Sequence, residues 1–189
     1  MNERHGNGFY EWGSIKPKNA PTLLRGEGTY MYMFEFGDEA GFTQIMGCYI
    51  QTSPGLICRQ AFAKSGGVQF AEWEWINPPM ALNTEYRTTE RYMGKPVYAK
   101  LVNCEALPNA GYKTVSVGVS GLEKVIDVSG CAIDAHNDDF YSIPATNFSS
   151  SVHNVGLYVT GSQAIAISTQ SDRSSYNAYV KVKYTKTTD

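Results

Sequence analysis

Residues 73–98 read WEWINPPMALNTEYRTTERYMGKPVY. Trp73 and Trp75 stand one residue apart, a spacing that in a strand sets both rings on one face and lets them cover a large apolar area. Asn77-Pro78-Pro79 then ends the strand, because two consecutive prolines forbid helix and remove two backbone donors. A polar run with aromatic punctuation follows, Tyr86-Arg87-Thr88-Thr89-Glu90-Arg91-Tyr92, closed by Gly94-Lys95-Pro96. The pattern predicts a joint between two β-domains: a small β-meander domain over residues 1–80, a joint over 81–96 and an antiparallel β-sandwich over 97–189. Domains of this size bury proportionally little surface, so association of copies is a natural way to complete them.

Working outward from the joint, every segment reads as strand and none carries helical periodicity. In TYMYMFEF, Tyr30, Tyr32, Phe34 and Phe36 alternate with Met31, Met33 and Glu35, a strand with one aromatic face. Turn signals at 37–41, Ser53-Pro54-Gly55 and Ser65-Gly66-Gly67 separate further strands over 42–51, 56–63 and 68–76. Beyond the joint, strands are expected over 97–103, 114–119, 122–128, 131–135, 154–160, 164–169 and 177–186. Gly121 and Gly130 are read as punctuation. Ala178, Val180, Val182 and Tyr184 share one face of the last strand, whereas Lys181, Lys183 and Lys186 suit a solvated or edge position. Short strands at regular spacing with turns between them are the pattern of a sandwich.

Composition narrows the function. Apolar residues make up 42%, enough for a core, and the net charge is −2 with no basic block. That balance argues against nucleic acid as the main partner, since neutralising phosphates takes clustered Lys and Arg. No window approaches a membrane span, and the N-terminal MNERHGNGFYEWG has no apolar signal-peptide core. Cys48, Cys58, Cys104 and Cys131 have no paired CxxC spacing of the kind zinc uses. Buried thiols are the plain reading, with a Cys48–Cys58 hairpin bridge open in an oxidising setting. His5, His136 and His153 accompany no catalytic signature. Glu72, Glu74, Glu85 and Glu90 read as charged strand rims around the joint, and adjacent Asp138 and Asp139 do not make the facing pair that glycoside cleavage needs. The expectation is a non-enzymatic chain without a cofactor.

The densest polar cluster is Asp134, His136, Asn137, Asp138 and Asp139, followed by Phe140 and Tyr141. It has oxygen ligands for a hard cation but lacks the alternation and terminal glutamate of an EF-hand loop, so a solvated loop explains it as well and a metal stays an open question. Such a loop can also hydrogen-bond sugar hydroxyls, with an aromatic ring as a face for a pyranose. Loops on a rigid scaffold are where binding residues concentrate, which makes His136, Asn137, Asp138, Asp139, Tyr141, His153 and Asn154 the candidate receptor-binding set. The phrase Ser171-Asp172-Arg173-Ser174-Ser175-Tyr176 reads first as a turn closed by Asp and Ser side chains.

These residues resemble a known family. Asn19-Ala20-Pro21, the aromatic strand after Gly28, Thr43-Gln44, the strand at Arg59 and the closing Trp73-Glu74-Trp75 are similar to the knob domains of phage tail fibres and R-type pyocin fibres. The phrases INPPMALNTEYRTTERYMGKPVY, ALPNAGYKTVSVGVSGLEKVI, SDRSSYNAYV and VKYTKTTD resemble the C-terminal part of tail-fibre or minor structural proteins of phages infecting Gram-positive bacteria. The resemblance implies a parallel homotrimer at the distal end of a fibre, following an upstream shaft. Its C-terminal sandwich would be a head for host cell-surface polysaccharide or teichoic acid, carried on the virion and released by lysis. It also implies that Tyr86, Arg87, Glu90, Arg91 and Tyr92 sit near the trimer axis, where surface charge is the alternative reading for the ionic members. Two other functions fit the same sequence: a carbohydrate-binding module of a secreted enzyme, and a fibre-tip glycan depolymerase.

Overall fold

The computed structural model describes residues 4–12, 30–49, 55–136, 139–146, 153–161 and 163–189, without the side chains of Trp12, Cys48 and Tyr49. Asn19-Ala20-Pro21, Ser53-Pro54, Asn137 and Asp138 therefore lie outside the described residues. The described chain is nearly all β, as expected, and divides into two units. The first holds residues up to Pro79 together with Arg87–Thr89, and the second holds Met80–Tyr86 and Glu90–Asp189.

The first unit is an antiparallel meander of β1 (Gly8–Trp12), β2 (Tyr30–Gly37), β3 (Gly41–Tyr49) and β4 (Leu56–Lys64), with β5 (Gly67–Phe70) and β6 (Glu74–Trp75) both paired to β4. β1 adds a strand that the sequence reading did not include. The alternation read in β2 holds, and its buried side is Met31, Met33 and Glu35, whereas Tyr30, Phe34 and Phe36 are exposed. The buried face continues through Phe42, Gln44 and Met46 to Ile57, Arg59 and Ala61 on neighbouring strands. Inside it runs a polar relay. Gln44 Nε2 donates to Glu35 Oε2 at 2.7 Å and Arg59 Nε donates to Gln44 Oε1 at 2.9 Å, while Glu35 Oε1 accepts the backbone N–H groups of His5 and Gly6 at 3.0 and 2.8 Å.

The single strand expected over 68–76 is split into β5 and β6. Around the break the Arg59 guanidinium sits 4.1 Å from the ring centre of Phe70, the last residue of β5, and 4.3 Å from that of Trp73, just before β6. One cation is thus shared by the two rings that flank the interruption. Burial pushes the Arg59 pKa down to about 10. Trp75 is buried against Gly55, where an added Cβ would lie 2.4 Å from the indole. Cys58 stands opposite Ile45 in the ladder and the Cys48 backbone opposite Met31, so the two cysteines are not cross-strand partners.

Residues 81–96, read as a joint, are themselves largely strand: β7 (Glu85–Tyr92) and the start of β8 (Lys95–Ala106). Met93 and Gly94 both have positive φ, 50° and 83°, the conformation of a tight two-residue hairpin turn. Gly94 thus makes a hairpin and not a linker.

In the second unit β8 pairs with β14 (Tyr176–Lys186), β14 with β10 (Leu122–Asp134), and β10 with β11 (Phe140–Ile143). The opposing sheet has the order β12 (Val155–Val159), β13 (Ala164–Thr169), β9 (Tyr112–Ser116). Tyr98, Val102, Cys104, Ile143, Val155, Ile165, Ile167 and the predicted face Ala178, Val180, Val182 and Tyr184 fill the space between them, giving the expected sandwich. β10 runs straight through Gly130, which the sequence reading took for punctuation. A side chain there would bring Cβ to 2.7 Å from Tyr179 O and 3.0 Å from Ile143, so the glycine serves close approach within the sheet.

The lysines of β14 need a correction too. This strand lies between β8 and β10 and is not an edge. Lys183 Nζ meets Glu90 Oε1 at 2.6 Å, and Lys186 Nζ meets Glu85 Oε1 at 2.5 Å. Glu85 also accepts the hydroxyl of fully buried Tyr184, whose ring stacks on Tyr98 at 6.0 Å.

Candidate functional site

The site lies where the chain leaves β11 for the opposing sheet. Past the cis peptide Ile143–Pro144, Ala145 pairs with Val155 through reciprocal backbone hydrogen bonds of 3.0 and 2.9 Å. The turn before β14 comes up beside this corner. Asp172 Oδ1 accepts from Ser174 N at 2.9 Å and from Ser174 Oγ at 2.7 Å, which confirms the turn read from the sequence. Within that turn Arg173 N donates to Pro108 O at 3.2 Å, and Arg173 O accepts from Tyr176 N at 2.9 Å. The backbone of Arg173 is thus fixed at both its polar groups, and its side chain is free to serve the corner.

Between them is a pocket of about 440 Å³ lined by Tyr141, Ala145, Thr146, His153, Arg173 and Tyr176. The Tyr141 and Tyr176 rings meet edge-to-face at 5.2 Å and form an aromatic wall, and the Arg173 guanidinium lies 5.9 Å from the Tyr176 ring centre. Arg173 Nη2 is in close contact with His153 Nδ1, which acts as the acceptor because a guanidinium can only donate. Arg173 Nε and Tyr141 Oη are both buried without a hydrogen-bond partner among the described residues. Burial pushes the Tyr141 pKa up, against the opposing pull of the Arg173 charge, so the phenol stays protonated at neutral pH. Orphaned buried donors cost about 1–3 kcal/mol each, and a native structure tolerates them where water or a ligand supplies the acceptor.

A second depression of about 590 Å³ shares Ala145 and Thr146 with the first and is lined also by Asn154, Tyr158, Ser168 and Gln170, with Tyr158 exposed. The corner therefore offers a groove of two compartments.

Of the receptor-binding candidates, the fold brings Tyr141 and His153 into the first compartment and Asn154 into the second. His136 is placed elsewhere, in a turn where Asp134 Oδ1 accepts its backbone N–H at 2.8 Å and contacts its Nδ1 at 3.2 Å. Asp139 belongs to the same turn, its carbonyl accepting Asp134 N at 2.8 Å. Arg173, Tyr176 and Thr146 were missed.

The residues expected near a trimer axis have partners within one chain. Tyr86 is buried and its hydroxyl accepts Ala81 N at 3.2 Å. Arg87 pairs with Glu74 at 3.1 Å, Glu90 with Lys183, and Lys124 lies 5.0 Å from the Tyr92 ring centre. Arg91 is exposed and donates to the Glu90 carbonyl at 3.1 Å.

The turn aspartates give a pH prediction. Asp134 and Asp172 are held below the ordinary 3.8, chiefly by the backbone N–H groups of His136 and Ser174. Depressed carboxylates stabilise the fold fully above the unfolded value, and the contribution disappears as pH falls through the lower folded value. A carboxyl ¹³C titration is expected to place both midpoints below 3.8; midpoints at or above that value would show the caps are not made in solution.

Comparison with known protein families, curated proteins and solved structures gives no match to this chain.

Proposed function

We propose that this chain is the distal, receptor-binding part of a phage or prophage tail fibre, attaching to host cell-surface glycans without cleaving them. The observation that carries this reading is the corner groove, where an aromatic wall and unsatisfied donors meet in one cavity as sugar recognition requires. The described walls of both compartments carry no carboxylate, which favours binding over acid-pair hydrolysis. The resemblance of the joint and C-terminal phrases to tail-fibre proteins is the support for the virion context and the upstream shaft.

The homotrimer belongs to the same proposal, with its contact surface moved. The residues of β7 are engaged within one chain, but the first unit presents Phe9, Tyr30, Phe34, Phe36 and Phe62 at 41–63% exposure on one side of its sheet. Monomers rarely expose so continuous an apolar patch. Packing against other copies removes it from water.

Light scattering on a size-exclusion column is expected to give three times 20.9 kDa, and Phe34→Ser to shift the mass toward the monomer. Fluorescently labelled trimer should decorate host cells and leave purified wall polysaccharide at its original length. A clean monomer at all concentrations would favour the isolated sugar-binding module, and shortened polysaccharide would favour a depolymerase.

A further inference from the structure

We infer that the first compartment of the groove is built for a sugar bearing a negative charge, a carboxylate or a phosphodiester, gripped by Arg173 with Tyr141 as the additional donor. The inference rests on the glycan-binding reading and specifies its ligand.

Among the described residues no carboxylate pairs with Arg173, so the pocket wall holds an uncompensated cation in a chain whose net charge is −2. Nε and Nη2 share one edge of the guanidinium plane, the edge that grips two oxygens of a carboxylate or phosphate side-on. Here Nε is buried without a partner among the described residues and Nη2 is in contact with the acceptor His153 Nδ1. An incoming oxyanion satisfies Nε, replaces His153 on Nη2 with a charged acceptor, and is within the chemistry of the unpartnered Tyr141 hydroxyl. A neutral hydroxyl can satisfy one of these donors but leaves the charge uncompensated. Thr146 and the Tyr176 ring remain for the rest of the sugar.

The test is a titration of ¹⁵N-labelled full-length chain with glycerol 3-phosphate, glucuronate, glucose and N-acetylglucosamine, following the amides of Tyr141, Thr146, Arg173 and Tyr176. At least one acidic probe is expected to bind tenfold or more tightly than the neutral sugars, with an affinity that falls as salt rises. Which of the two binds identifies the source of the charge. Arg173→Gln should remove that tenfold preference while sparing the weak neutral binding. Arg173→Lys, which keeps the charge but not the fork, should retain part of it, and Tyr141→Phe should lower acidic binding severalfold. Unchanged melting temperatures keep these variants interpretable. Equal binding of neutral and acidic probes overturns the inference and leaves the glycan reading standing. Absence of any shift at these four amides with all probes overturns both.

Discussion

Arg59→Met is expected to destabilise the first unit by about 3–5 kcal/mol, the range for removing one member of a buried charged network. The guanidinium does three things there: it donates to Gln44, it contacts the Phe70 and Trp73 rings, and its charge is offset by those of Glu72 and, at the far end of the relay, Glu35. Methionine fills the space but leaves Gln44 Oε1 without this donor and Glu35 without the compensating charge. Arg59→Lys should fall between the two proteins, since it keeps a cation and loses the planar stack. Urea unfolding followed by tryptophan fluorescence reads this unit directly, because Trp12, Trp73 and Trp75 all belong to it. A loss under about 1 kcal/mol for Arg59→Met would mean that solvent already compensates the relay.

Glu85→Leu is expected to cost the sandwich about 2–4 kcal/mol, on the basis of two donors left unpaired. One is the hydroxyl of Tyr184, fully buried, and the other is the Lys186 ammonium, whose side chain is 15% exposed. Burial first, and then its bond to Glu85, drives the Tyr184 pKa upward, so the phenol stays a donor throughout the accessible range. Tyr184→Phe alone loses a made hydrogen bond, whereas the same change on top of Glu85→Leu removes an orphan and should be nearly neutral. The double-mutant cycle should therefore show at least about 1 kcal/mol of coupling, read from the loss of amide protection along β14. Strict additivity would show that the two side chains do not meet in solution.

What the sequence made legible follows from period. Alternation alone gave the inner face of β14 and the two faces of β2, because a strand with one buried side repeats every two residues. The failures are of a different kind. Lys183 and Lys186 looked like edge residues because their acidic partners lie 93 and 101 positions away, on β7. Gly130 looked like a break because a glycine in a strand signals both turns and close approach, and only the neighbouring strand tells them apart. At the site, Tyr141 and His153 were found as loop residues beside polar company. Arg173 was not, because Asp172 and Ser174 on either side of it fully explain the turn and leave no local sign that the intervening side chain points elsewhere. The pocket exists only once the corner after β11 and the turn before β14 are brought together by strand pairing.

The position of β14 bears on how such a chain is made. It forms the bond between β8 and β10, strands synthesised well before it. Until residues 176–186 emerge from the ribosome, each of those strands has one ladder edge without its native partner. The waiting state is therefore the vulnerable one, prone to pairing with another nascent copy along the wrong strand. Correct synthesis then depends on the time between translating β10 and translating β14, a kinetic exposure set by the order of the strands along the chain.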